Sequence, residues 1–333
     1  MKGKSALKKT QYKYDVSVLV ISYNPDRKKL ISTLRSILYQ KDVHMQIIVA
    51  DDGSKNNYFD DIRALFEKHG FSDYVLVANE INLGITKNFY SGLVKAEGEF
   101  LKGISPGDYF YNENTLSDIY KYMKKRGLDA AFGNAVYFQM NNKTIRPVHK
   151  NIRRPNLNVI YDEKKYRYSV VKSNCWLLKD YTLGAAYFVK RELVLKYCEM
   201  ILGKVKYMED VLYRFMLLDD IPIVHYDKSI IMYEFGTGVS TTKESKWKRI
   251  MLEEEKVIEK LVIADKRNDK FRKKLKRYYS MNRDNLLTKN ISLLLTSPGT
   301  QFWKICRILH VRLGKCYTET SYDKQFMSKI MEE

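Results

Sequence analysis

The chain has 333 residues, is 45% hydrophobic and 13% aromatic, and carries a net charge of +20. Its length and apolar content exclude a disordered chain and suit one large α/β domain with an appendage, or two domains. The charge draws polyanions, whether nucleic acid, anionic lipid headgroups or phosphorylated substrates, and composition alone does not choose among them.

The first half alternates strands with amphipathic helices. "VSVLVIS" (16–22) is continuous, β-branched and ended by "YNP", which predicts a buried strand. After Pro25, Leu30, Ile31, Leu34, Ile37 and Leu38 recur at helical spacing. "MQIIVA" (45–50) predicts a second strand, ended by "DDGS", and Phe59, Ile62, Leu65 and Phe66 mark a helix closed near Gly70. A strand at 74–79, a helix with Ile85, Phe89 and Leu93 on one face, and the strand "EFLKGIS" follow. A helix over 114–126 and a strand over 130–138 complete this half.

From 139 to 180 the pattern weakens, and long loops over the sheet are expected. "TLGAAYFVKRELVLKYCEM" reads as a strand running into a helix, and "YMEDVLYRFMLL" as a helix introduced by two acids. "IPIVHYDKSIIMYEF" reads as one or two strands, and "GTGVSTT" as a flexible loop. Beyond Lys243 the composition is helical and highly charged, which sets a boundary near 240: a domain over 14–240 and a basic helical region over 241–333.

Strands separated by helices imply βαβ units and a mostly parallel sheet, with ligands beyond the carboxyl ends of the strands. The segments there are "YNP", "DDGS", "NEINLG" and "SPGD", all polar and turn-rich. The cysteines form no C-x-x-C pair, so zinc and redox sites are not expected, and they read as reduced thiols of a cytosolic protein. The basic N-terminus has no apolar stretch behind it, so no signal peptide is expected. No apolar run approaches the ~20 residues of a membrane span.

P-loop and dinucleotide fingerprints are missing: "SYNP" stands where a glycine-rich turn would follow the first strand. A nucleotide base needs an in-plane acceptor for its ring N–H and a flat surface to stack on. Asp52 and Tyr23, both at strand ends, have the right chemistry, although Asp52-Gly53-Ser54 also reads as a turn and helix cap.

The order Ser22-Tyr23-Asn24, then Asp51-Asp52-Gly53-Ser54, then Asn82-Leu83-Gly84, then a "GEF" strand entering an acid-bearing turn, and finally Glu209-Asp210, resembles the family 2 glycosyltransferases. The resemblance covers about residues 14–240 and implies a GT-A fold: an α/β, Rossmann-like, mostly parallel sheet flanked by helices, here with a C-terminal helical extension. It implies inverting transfer from a nucleoside diphosphate sugar, with UDP expected. Tyr23, Asn24, Asp52, Gly84, Lys87 and Asp108 would then bind the nucleotide sugar. Asp210 would be the general base, with Glu209 orienting the acceptor or the base. On charge alone, the two acids also suit a helix N-terminus.

Two departures stand out. Phe89 and Tyr90 stand where the family often has Arg-Asn, which leaves Lys87 as a substitute contact for the diphosphate. Ser105-Pro106-Gly107 replaces the D-x-D acids, and Asp108 is the acid kept. Either Asp108 holds a hydrated Mg²⁺ or Mn²⁺, or lysines such as Lys87 or Lys102 offset the charge of the leaving diphosphate.

In the C-terminal region, the run "KRNDKFRKKLKR" precedes "QFWKICRILHVRL", which sets Phe302, Ile305, Cys306, Leu309 and Leu313 along one face. That pattern suits an interfacial membrane helix, or a helix packed on the main domain. The expected partners are a nucleoside diphosphate sugar, a glycan or lipid-linked glycan acceptor, and an anionic membrane surface met through 266–313. No nucleic acid is expected, and the expected location is the cytoplasmic face of the cell membrane. An inactive family member that binds glycan or scaffolds a complex, and a basic nucleic-acid-binding protein, are the rival readings.

Overall fold

The computed structural model describes residues 12–141, 144–148, 157–238, 245–312 and 319–332. β1 (Tyr14–Ser22), α1 (Arg27–Leu38), β2 (Met45–Asp51), α2 (Phe59–Lys68), β3 (Tyr74–Ala78), α3 (Ile85–Leu93) and β4 (Gly98–Ile104) alternate as the pattern predicts. The four strands are parallel in the order β3-β2-β1-β4, and Ser22 lies beside Asp51 at their carboxyl ends. β2 is buried along its whole length because helices cover both faces, which is why its sequence runs apolar rather than alternating. The Asp26 side chain accepts the Lys29 N–H and so starts α1 at the edge of this carboxyl end.

The sheet continues through β5 (Tyr109–Phe110), α4 (Thr115–Arg126), β6 (Ala130–Asn141), β7 (Thr144–Pro147), α5 (Tyr168–Lys172), β8 (Tyr187–Lys190), α6 (Arg191–Ile201), α7 (Val211–Leu218) and β9 (Val224–Glu234). β8 lies antiparallel between β4 and β6, β6 runs parallel to β9, and β5 closes the edge on β9. β7 makes a hairpin with β6.

The stretch from 139 to 180 departs from the expected loops. Its described part includes the β7 hairpin strand, and its later half enters the core: α5 runs into a wider helical turn over Ser173–Leu177, and Val171, Cys175, Trp176 and Leu177 are buried. The wide turn breaks the 3.6-residue period, so no helical pattern shows in the sequence. Residues 149–156 lie outside the described residues.

α8 (Ser245–Ala264), α9 (Lys270–Ser280), α10 (Leu286–Thr296), α11 (Pro298–Arg312) and α12 (Lys324–Met331) follow. The expected boundary near 240 and the end of the "GTGVSTT" loop lie outside the described residues. α8 buries Glu254, Ile258 and Val262, and α9 adds Phe271, Leu275, Tyr278 and Tyr279 to the core. α12 returns to the sheet and packs Phe326, Met327 and Ile330 against Tyr109, Val136, Phe138 and Met232. The basic run is split: Arg272 is buried and pairs with Asp219, Asp265 and Asp269, and Arg267 pairs with Asp219 and Asp265. Among the described residues no helix is long and apolar enough to cross a membrane.

Candidate active site

The ends of β1 and β2 are tied together by short side chains. Asp51 accepts the Ser22 hydroxyl at 3.2 Å, the Ser54 N–H at 2.8 Å and the Ser54 hydroxyl at 2.5 Å. Asn24 takes a left-handed backbone (φ 44°), donates its N–H to Ser54 Oγ at 2.7 Å and accepts the Lys55 N–H at 3.0 Å. These bonds hold Tyr23 outward, with 53% of its surface exposed.

Asp52 is buried and accepts three hydrogen bonds: Asn79 Nδ2 at 3.1 Å, the Leu83 N–H at 2.9 Å and the Gly84 N–H at 2.9 Å. It fixes the turn that starts α3. Gly84 has φ 90°, and a Cβ there would lie 2.4 Å from Lys206 Cγ, so glycine is required on both counts. Asn88 ties the same region to the sheet by donating to Ser22 O at 3.3 Å and Ala50 O at 3.0 Å.

"SPGD" forms a tight turn in which the Asp108 N–H donates to Ser105 O at 3.0 Å. Thr33 of α1 braces it, donating to Asp108 O at 2.9 Å and accepting the Gly107 N–H at 3.0 Å. Asp108 Oδ1 accepts the Glu234 N–H at 3.1 Å. The Glu234 carboxylate, at the end of β9, pairs with Lys29 Nζ at 2.5 Å. Its approach needs Gly107, where a Cβ would lie 2.8 Å from Glu234 Oε2.

Tyr23, Lys29, Asp108, Glu209, Asp210 and Glu234 line one cleft of about 400 Å³. Asn24, Asp52, Gly84 and Lys87 are not among its lining residues, although Ile85, next to Gly84, is. Lys87 is exposed on α3. Lys102 is buried and donates to Gly103 O at 2.7 Å and to Ala185 O. Asp210 stands at the N-cap position of α7 without a side-chain capping bond, and also lines a second cavity of about 740 Å³, walled by Tyr137, Tyr161, Tyr181 and Tyr187. Leu183, Gly184 and Met251 are common to both, so the two spaces meet at the Asp210 carboxylate.

The sequence matches the model of "Glycosyl transferase family 2" over residues 17–194, more than half of the chain. The chain belongs to glycosyltransferase family 2. Solved structures give the same architecture. The first 349 residues of TarS from S. aureus superpose with TM-score 0.54 at 16% identity, covering 89% of this chain and 80% of that one. The same TarS fragment with UDP-GlcNAc gives TM-score 0.56 at 16% identity, with 90% and 87% covered. A mannosyltransferase from Pyrobaculum calidifontis, in complex with GDP-Man and Mn²⁺, gives TM-score 0.53 at 15% identity, with 96% and 86% covered. Comparison with curated proteins finds no match. The fold of this glycosyltransferase is therefore GT-A, as the order of motifs implied.

Electrostatics distinguish the acids of the enzyme. Glu209 and Asp210 line the cleft and are partly buried. Burial raises both carboxyl groups above the ordinary range. The Asp210 charge adds to the rise in Glu209, while the Arg214 guanidinium opposes it in Asp210. Burial likewise raises Asp108 to about 7, against the Glu234 N–H and the Lys102 charge. Burial lowers Lys102 to about 7, with Asp108 acting against it.

The donor set at Asp108 does not fit a metal cage as it stands. Asp108 already accepts a backbone N–H, and the neighbouring carboxylate, Glu234, is neutralised by Lys29. Among the described residues no group of three or more His, Cys, Asp or Glu is arranged to hold a metal ion.

Lys29, Glu234 and the α8 contacts were not singled out from the sequence. α8 supplies Met251 to both cavities, and Glu254 accepts the Lys206 N–H at 2.6 Å and the Tyr207 N–H at 3.1 Å, just ahead of Glu209. Glu255 forms a forked ion pair with Arg214, one turn beyond Asp210. The run of acids in "EEE" was a sequence signal for buried partners on α8, but nothing local names those partners.

Proposed function

We propose that this glycosyltransferase moves a sugar with inversion from a UDP-linked donor to a hydroxyl of a surface glycan, lipid-linked and met at the cytoplasmic face of the cell membrane. The observation that carries the reading is the position of Asp210, whose carboxylate borders both the cleft containing Tyr23 and the tyrosine-walled cavity. The nucleotide lies on the Tyr23 side, with the uracil stacked on that ring and the loop held by Asn24, Asp52 and Gly84 as its floor. The acceptor enters from the tyrosine side, where flat rings suit the apolar faces of sugars.

In the transfer, the acceptor oxygen attacks the anomeric carbon as the bond to the diphosphate oxygen breaks. The acceptor proton passes to Asp210, and the electron pair leaves with the diphosphate. Glu209 shares the protonation of the pair and orients the acceptor. The charge on the diphosphate falls to Lys29, the cation at the mouth of the cleft, once phosphate oxygens compete with Glu234 for it. Lys87, exposed on α3, and Lys102, spent on two carbonyl oxygens, are in poorer positions for that task.

The test is a screen of UDP- and GDP-sugars for donor hydrolysis and transfer, with Asp210→Asn beside the wild type. Retained UDP binding with loss of transfer is expected. Transfer by Asp210→Asn at the wild-type rate would remove Asp210 as base, and turnover of GDP-sugars alone would remove the uridine assignment.

A further inference from the structure

α10 and α11 are consecutive helices that each carry an apolar stripe facing solvent. On α10, Leu287, Ile291 and Leu294 repeat at i, i+4 and i+7, while the opposite residues Ser292 and Leu293 are buried. On α11, Phe302, Ile305 and Leu309 repeat at i, i+3 and i+7. All six are between about half and two-thirds exposed. A soluble monomer rarely leaves such a patch uncovered.

The charge around the patch identifies what covers it. Residues 286–312 contain no Asp or Glu and four Lys or Arg, of which Arg307 is turned inward and pairs with Asp180. On α9, Lys270, Lys273 and Arg277 are exposed, in contrast to the inward-turned Arg272. A second copy docked face to face would bring two acid-free cationic rims together, which like charges oppose. Nucleic acid would answer the charge and leave the leucines wet. An anionic lipid surface answers both, taking the apolar stripe into the acyl boundary and the lysines among the headgroups.

The same hairpin also walls a cavity that leads towards the active site. A cavity of about 750 Å³ is lined by Leu286, Lys289 and Leu293 of α10 and by Lys304 of α11. Leu286 is itself largely exposed. The cavity shares Lys179, Leu252, Glu255 and Lys289 with the tyrosine-walled space that ends at Asp210. An acceptor anchored in lipid thus has a passage from the hairpin to the base, lined by Lys256, Lys289 and Lys304 as well as by the acids Glu255, Glu259 and Asp284.

We infer that the α10–α11 hairpin is a membrane-docking face that lies in the interface of an anionic bilayer and delivers a lipid-linked acceptor to Asp210. The delivery clause rests on the transfer reading above; the docking clause does not.

The experiment is cosedimentation of the full chain with vesicles of phosphatidylcholine alone or mixed with phosphatidylglycerol. It compares wild type, Leu294→Glu/Phe302→Glu and Lys270→Glu/Lys273→Glu, with UDP binding and circular dichroism measured on each. Binding to the mixed vesicles by wild type, weakened about tenfold or more in both variants with UDP binding unchanged, is expected. Wild-type protein that ignores the mixed vesicles, or variants that bind them equally well, would overturn docking. So would a wild-type dimer that Leu294→Glu/Phe302→Glu dissolves without any vesicle binding. Vesicle binding by a wild-type chain that neither binds UDP nor hydrolyses UDP-sugars would leave docking standing and remove the transfer reading instead.

Discussion

Lys29 Nζ lies 2.5 Å from Glu234 Oε2, joining the first turn of α1 to the last residue of β9. The pair sits beside the "SPGD" turn, against Gly107. An ammonium held there by one carboxylate is a preset counter-charge for phosphate oxygens. Lys29→Gln should therefore weaken UDP binding by about 1.5–3 kcal/mol, or roughly 10- to 100-fold, while Lys29→Arg keeps part of it. Calorimetry with UDP, repeated in EDTA, checks this. Equal affinity of wild type and Lys29→Gln in EDTA would show that the diphosphate is held elsewhere.

The raised carboxyl groups of Glu209 and Asp210 predict opposite effects of pH on activity and stability. A base must be ionised, so transfer should rise with pH through a limb displaced above the ordinary carboxylate range. Folding has the other sign. Between the ordinary and the raised values the folded state holds more protons than the unfolded one, so stability falls as pH rises through that window. Asp210→Asn removes one of the two charges. It should cut transfer by about 10²–10⁴-fold and melt at a higher temperature than wild type above the window, with the gap closing in acid. Thermal melts across pH, run beside transfer assays, read both effects.

Asp52 accepts N–H groups on both oxygens, and an amide cannot do so. In Asp52→Asn either the Gly84 N–H or the pair from Asn79 and Leu83 faces a donor. A loss of about 1–3 kcal/mol is expected, measured by urea unfolding, together with weaker UDP binding as the α3 turn loosens.

The parallel half was legible because each of its strands is a short apolar run closed by turn residues. "VSVLVIS" and "MQIIVA" declare themselves, and so do the polar ends that build the cleft. Asp210 and Tyr23 were singled out as members of an ordered set of motifs, and both line the same cleft. Lys29 was not: it is one of three successive basic residues, and its meaning depends on Glu234, 205 residues away. Lys87 drew attention as a stand-in for the arginine that Phe89 and Tyr90 replace, yet a helix turns it outward. The wide turn at Ser173–Leu177 was hidden because its buried residues follow neither period, and β5, two residues long, carries no pattern at all.

Arg214 and Glu255 make the strongest test of whether α8 belongs to the catalytic unit. Arg214 lies one turn after Asp210, between the rings of Trp176 and Tyr181 at 4.5 and 4.4 Å, and its side chain is 6% exposed. Glu255 of α8 accepts from both of its terminal nitrogens, at 3.0 and 2.9 Å. The guanidinium next to Glu255 holds that carboxyl down at about 2 despite burial. Glu255→Gln leaves a buried cation without its counter-charge, which costs about 3–5 kcal/mol when a buried pair is broken. Unpaired, Arg214 should pull the Asp210 carboxyl downward, so the acidic limb of transfer should move to lower pH. Urea unfolding and the pH profile measure the two effects separately. A stable Glu255→Gln variant with an unmoved pH limb would mean that α8 only covers the site and takes no part in setting its charge.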